Sequence, residues 1–196
     1  MLGDLEMLIC TDGTYMLDGG AMFGVVPKPM WQQRMPADDR NRVLLGLNTL
    51  VVRTGSALVV IETGIGNKQS PKMREIHGNQ ERLPQSLDAA GVSADKVTHV
   101  VNTHLHFDHC GWNTTQNEDG RIRPTFKNAR YFAAAGELAH GRRQLERDRV
   151  SYLGPNYDPV IADGQMTLID LNGEGGFAPD DPRLRGAASE EQELLL

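Results

Sequence analysis

The sequence predicts an α/β fold, and three observations carry that expectation. Apolar runs of strand length recur, among them Ala57-Leu58-Val59-Val60-Ile61. Leu83, Leu87 and Ala90 show helical spacing. Finally, the strand-like run Val97 to Val101 hands the chain directly to a cluster of metal-competent side chains. Short apolar runs bounded by turn residues, interleaved with helical periodicity, are the signature of this class.

Taken in order, Leu5 to Cys10 and Thr14 to Leu17 flank Thr11-Asp12-Gly13, whose glycine suits a positive φ, so a hairpin is expected. Gly19 to Pro29 reads as a loop punctuated by glycine and proline. Its apolar residues and those just beyond it (Met22, Phe23, Val25, Val26, Met30 and Trp31) are expected mainly to pack on the sheet. A second hairpin joins Val43 to Arg53 with Ala57 to Glu62 around Thr54-Gly55-Ser56. The unbroken apolar run in its second arm suits a strand covered on both faces. Pro71 to Ile76 makes a short helix before the loop His77-Gly78-Asn79. The Leu83 helix starts near Pro84 and stops at Gly91. Lys96 to Asn102 is a strand, Tyr131 to Ala133 a short one, Ala135 to Asp148 a charged helix and Met166 to Leu171 the last strand. Residues 1–172 are read as one domain. Residues 173–196 are read as a polar, mobile tail, too poor in apolar residues to offset the entropy of ordering it.

Composition narrows the function classes. A hydrophobic fraction of 39% and a charged fraction of 23% belong to a soluble globular protein. The net charge of −6, from 20 basic and 26 acidic residues, argues against nucleic acid or an anionic membrane as partner. No apolar stretch approaches the roughly 20 residues that span a bilayer. The start, Met1-Leu2-Gly3-Asp4-Leu5-Glu6, lacks the basic and apolar regions of a signal peptide, so the expected location is cytoplasmic. Cys10 and Cys110 make no disulfide framework, and Cys110 is read as filling a small buried position.

The chemistry concentrates in Thr103-His104-Leu105-His106-Phe107-Asp108-His109-Cys110-Gly111-Trp112. Imidazole nitrogens and a carboxylate oxygen suit zinc, iron or manganese. In extended chain His104 and His106 point to the same side, and a turn at Asp108-His109 swings two further donors toward a second metal. The other candidates read more plainly. Asp12, Asp18 and Asp39 are turn formers, His77 a solvated loop residue, His99 a core or surface histidine, and Trp112 a packing residue. His140 lies in the charged helix, away from the motif.

The pattern His-x-His-x-Asp-His after a strand resembles the signature of the metallo-β-lactamase-fold hydrolases. The wording of Thr103 to Asn113 is similar to the lactonase-like branch, the acyl-homoserine-lactone hydrolases and their relatives. So are Leu17-Asp18-Gly19-Gly20-Ala21-Met22-Phe23-Gly24-Val25 and Glu62-Thr63-Gly64-Ile65-Gly66. The resemblance runs from about residue 6 to about residue 172. It implies a four-layer αββα sandwich, of which this chain holds the N-terminal half plus the start of the second half. It implies that His104 and His106 bind a first metal and Asp108 and His109 a second, with zinc the expected metal and iron or manganese alternatives. It further implies a small-molecule ester or lactone substrate attacked by a metal-activated hydroxide, with Asp108 as the catalytic residue that assists the leaving group or steers the nucleophile's proton. Glu62 stands where the family usually has aspartate, behind the site, and is expected to orient a histidine.

In the family a third histidine follows the strand corresponding to Met166–Leu171, then a bridging aspartate and a last histidine. Here Gly173-Glu174-Gly175-Gly176-Phe177 follows instead, and the only histidine after His109 is His140. The resemblance therefore implies a chain truncated at its C-terminus, with a sheet face left bare that favours a homodimer. Two rival readings follow: a non-catalytic, metal-binding remnant, and an iron-dependent oxidoreductase of the same fold, as in persulfide dioxygenases.

Overall fold

The computed structural model describes residues 3–170, so the tail expected at 173–196 lies outside the described residues. β1 (Glu6–Asp18) leads into two short helices, α1 (Gly19–Phe23) and α2 (Lys28–Trp31). β2 (Arg42–Thr54), β3 (Ala57–Ile61), α3 (Pro71–His77), α4 (Leu83–Ala89) and β4 (His99–Val101) follow. A small ribbon, β5 (Thr114–Gln116) and β6 (Ile122–Pro124), precedes β7 (Arg130–Ala134), α5 (Ala135–Arg142), α6 (Asp158–Ala162) and β8 (Met166–Ile169). Among the described residues no helix is long and apolar enough to cross a membrane.

Six strands form one sheet in the order β1-β2-β3-β4-β7-β8. The β1-β2-β3 part is antiparallel, and β3, β4, β7 and β8 run parallel. Helices cover one face. Leu83 and Leu87 of α4 and Val160 of α6 pack on Cys10, Val51, Val60, Val100 and Tyr131 from successive strands. Val101, Phe132 and Ile169, with Val59 and Ile61 beside them, make a separate cluster on the opposite face. The α/β expectation holds. One sheet and its helix layer, two of the four layers of the implied sandwich, lie among the described residues. The parallel strands β4 and β7 both end beside the loop of histidines, and loops at strand ends carry function because a rigid sheet holds them in place.

Several local expectations are corrected. Leu5 to Leu17 is one strand, not a hairpin: β1 pairs along its whole length with β2, and Thr11-Asp12-Gly13 is a bulge between Thr11↔Asn48 and Gly13↔Leu47. Gly13 at φ +95° supplies the backbone turn, and the extra residue, Asp12, is driven inward and fully buried. The apolar residues of the 19–31 segment do not pack as expected. Trp31 is buried, but Val25 is 100% exposed and Met30 64%. In β3 only Val60 is fully buried, so the run is covered well on the helix face and partly on the other. The charged helix ends at Arg142 rather than Asp148, and Gln144 just beyond it has φ +48°.

Candidate metal centre

The site is built by two loops that cross at the ends of β3 and β4. The first, 62–66, follows β3; the second, 102–113, follows β4. Glu62, in the left-handed region at φ +64°, joins them. Its Oε1 accepts from Thr103 N at 2.7 Å and its Oε2 lies 2.6 Å from His109 Nδ1. The expected orienting role is therefore met in geometry, and the longer side chain reaches both ends of the motif. Thr63 N and Asn102 Nδ2 donate to His109 O at 2.7 and 3.1 Å. Gly111 N and Trp112 N donate to the carbonyls of Gly64 and Thr63 at 2.7 and 2.9 Å.

Asp12 anchors the crossing from below. Its Oδ2 accepts from Ile65 N and Gly66 N at 2.8 and 3.3 Å; its Oδ1 accepts from Leu83 N and Trp112 Nε1, both at 2.8 Å. Asp12 is thus a buried hub rather than a turn former, and Trp112 is a tether as well as a packing residue. Asp18 caps α1 by accepting from Ala21 N at 3.0 Å, and Asp39 does sit in a turn.

Lys68, which carries no sequence signal, donates to the carbonyls of Gly111 and Thr114. Burial lowers its pKa from 10.5 to about 8. The unfolded chain therefore binds more protons than the folded one between those values, so this group's contribution to stability rises with pH across that window. Urea unfolding at pH 8, 9 and 10 should show a steeper rise for the native chain than for Lys68→Met. Parallel pH profiles would refute the assignment.

The far side of the motif is held by the 137–152 region. Glu137 Oε1 accepts from Leu105 N at 3.0 Å and from Tyr152 OH at 2.8 Å. Phe107 N donates to Ser151 O at 2.8 Å. Cys110 is fully buried with Sγ 3.2 Å from His106 O, and burial pushes its thiol pKa up, so it is the inert filler expected.

These constraints bring His104, His106, Asp108 and His109 to the floor of one cleft of about 600 Å³, with Glu62 beside them. The ring centres of His104 lie 4.6 Å from His106 and 3.9 Å from His109. Asp108 Oδ2 lies 3.3 Å from His109 Nε2 and accepts from Tyr15 OH at 2.6 Å. Burial, with the charges of His109 and His106, takes His104 down to a pKa of about 4, so its imidazole is neutral near pH 7. Burial also lowers His106. Burial opposes charge on His109, yet hydrogen bonds to Asp108 and Glu62 outweigh it and hold its pKa at about 10. Burial opposes the Asp108 carboxylate too, and the His109 and Tyr15 bonds overcome that, bringing it to about 2.

His77, expected to be solvated, is buried. Its Nδ1 lies 2.8 Å from Gln69 Oε1 and its ring stacks on Phe107 at 5.1 Å. His99 stacks on Phe132 and His140 pairs with Asp148 at 2.7 Å; neither lines the cleft.

A family model described as the metallo-beta-lactamase superfamily matches residues 43–178. The chain belongs to that superfamily. Among solved structures, a probable metal-dependent hydrolase from Staphylococcus aureus is similar, at 28% identity and TM-score 0.75 over 85% of this chain and 59% of its own. AidC, a dizinc quorum-quenching lactonase, is similar at 22% identity and TM-score 0.66, covering 88% of this chain and 60% of its own. The hydrolase AbOPH of the β-lactamase superfamily is similar at 20% identity and TM-score 0.63, over 87% and 60%. The chain thus spans about 60% of the length of these solved structures.

The donor chemistry of this superfamily chain fits a cation. Two imidazoles with lowered pKa offer lone pairs, and the Asp108 carboxylate and Glu62 line the cleft with them, each beside His109. The arrangement is not a closed cage. Among the described residues no group of three or more His, Cys, Asp and Glu side chains is set to hold a metal as it stands. The reason is local: His109 has one ring nitrogen on Glu62 and the other near Asp108. A cation held by His109 and Asp108 would have to displace the proton on the His109 ring nitrogen that faces Asp108.

Proposed function

We propose that the chain is the metal-binding part of a metal-dependent hydrolase acting on an ester or lactone bond, with zinc as the metal. The observation that carries this reading is the gathering of three imidazoles and two carboxylates on one cleft floor in a chain of this superfamily. His104 and His106 would hold one zinc, and Asp108 and His109 a second. Bound zinc polarises a carbonyl oxygen and lowers the pKa of a water molecule toward neutrality.

The chain's own residues do the rest. Glu62 binds the Nδ1 side of His109, which fixes the ring and assigns Nε2 to the cleft. Asp108, an ionised carboxylate lining the cleft, can accept a hydrogen bond from the nucleophile and so steer the direction of its proton. Leu17, Leu45, Leu47 and Phe107 line the same cleft as the donors, an apolar lining that suits a substrate with an apolar group beside its carbonyl.

A second reading is a metal-binding module without turnover, because each proposed zinc has two protein donors among the described residues where a catalytic zinc takes three. One experiment separates the two. The chain is purified without chelators, its zinc, iron and manganese are counted by elemental analysis, and ester and lactone hydrolysis is assayed alongside His104→Ala/His106→Ala. Hydrolysis that needs zinc and disappears with metal in the double variant is the expected result. Metal without turnover would favour the module, iron in place of zinc would favour oxidoreductase chemistry, and no metal in the unaltered chain would refute both metal readings.

A further inference from the structure

Tyr15 is not part of the histidine motif, yet it reaches the site directly. It lies on β1, 93 positions before Asp108 in the chain, and its hydroxyl donates to Asp108 Oδ2 at 2.6 Å. Its ring is fixed on two sides. His77 meets it edge-on at 5.8 Å and 88°, and Phe107 at 6.3 Å and 86°. His77 is itself stacked on Phe107 and bonded to Gln69. The phenol therefore has almost no freedom, being only 3% exposed, and it presents one O–H to one carboxylate oxygen.

We infer that Tyr15 is a positioning residue for the metal centre: its hydroxyl fixes the Asp108 carboxylate and so sets how tightly Asp108 and His109 hold a metal. This rests on the metal-binding reading above. Asp108 lies in the turn at 107–109, outside any strand or helix, and Tyr15 is the group from a distant strand that holds its carboxylate, beside His109 and the backbone of Asp108 itself. A carboxylate already held in place gives up less freedom when it binds a cation. Loss of such an outer partner typically weakens metal affinity about 10–100-fold. Glu62 plays the matching part for His109, so the two members of this pair are braced from opposite sides, Asp108 by β1 and His109 by the loop after β3.

The test is a double-mutant cycle on metal affinity, read without any substrate. Zinc is titrated against a chromophoric chelator in the native chain, Tyr15→Phe, Asp108→Asn and the combined variant. Cobalt is followed in the same four proteins by its visible spectrum. Tyr15→Phe keeps the ring and its contacts and removes one oxygen. The expected result is a roughly 10–100-fold loss of zinc affinity and an altered cobalt spectrum in Tyr15→Phe, with no further loss when Asp108→Asn is already present. Unchanged affinity and spectrum in Tyr15→Phe would overturn the inference and leave the metal reading intact. An equal loss in the Asp108→Asn background would also overturn it, since the effect would then be general loosening of β1. A native chain that binds no metal would overturn the metal reading and this inference together.

Discussion

Asp12→Ala should destabilise the fold by at least about 3 kcal/mol, because each buried donor left without a partner costs roughly 1–3 kcal/mol and four are stranded at once. The four come from separate parts of the chain: the backbone of Ile65 and Gly66 in the loop after β3, Leu83 at the start of α4, and the Trp112 indole after the histidine motif. The sum is less than four times the single cost, since water can enter and the bonds share one carboxylate. Burial also raises the Asp12 pKa, against the lowering effect of the Leu83, Trp112, Ile65 and Gly66 bonds, so the charge itself is held at some expense. Asp12→Asn keeps the shape and one acceptor oxygen but turns an NH₂ toward two donors, so it should recover only part of the loss. Urea unfolding with an unchanged slope measures both. A loss under about 1 kcal/mol in Asp12→Ala would mean the hub is dispensable. Metal retention should fall in the same variant, because Trp112 and the 65–66 backbone hold the loop that carries His109.

Asp12 also shows where the sequence stops being readable. Thr-Asp-Gly between two apolar runs has the composition of a hairpin turn, and nothing local separates that from a bulge. The choice is made by β2, whose residues from Arg42 to Arg53 pair with both halves of β1. His77 fails for a similar reason. Its glycine-flanked loop looks solvated, and it is buried by Phe107, thirty positions later. Tyr15 was within reach, since alternation along Thr14 to Leu17 puts it on one face with Leu17, and both line the cleft. Lys68 and Glu137 were not, because their partners are backbone groups of distant segments and, for Glu137, the Tyr152 hydroxyl, which leave no spacing to detect. What the sequence did carry well was local: the hairpin between β2 and β3, the α4 periodicity, and the run of four donors after β4, which needs only a strand end and a tight loop to become a cluster.

Gly111→Ala should be the most damaging change of a single methyl group in the site. A Cβ at Gly111 would stand 2.0 Å from Ile65 C, 2.2 Å from Ile65 O and 2.5 Å from Gly66 N, all backbone atoms. A Cβ at Gly66, whose φ is +76°, would meet the Gly111 carbonyl carbon and oxygen at 2.6 Å. The two site loops thus cross glycine on glycine, and neither can turn a side chain aside to make room. Overpacking an adaptable core costs about 1–3 kcal/mol. Here the backbone must move, so a loss above about 3 kcal/mol, beyond that range, is expected by urea unfolding. Gly136→Ala in α5 is the control: nothing lies within 4 Å of its added carbon, and helix propensity predicts a gain of up to about 1 kcal/mol. The functional consequence follows from distance along the chain. Gly111 is two residues past His109, whose carbonyl is held by Thr63 and Asn102 and whose ring is held by Glu62. Separating the loops pulls on the Thr63 and Glu62 bonds that cross between them, so metal counted by elemental analysis should fall in Gly111→Ala even at temperatures where the chain remains folded. A folded Gly111→Ala chain that retains full metal would show that the crossing supports the fold without tuning the site.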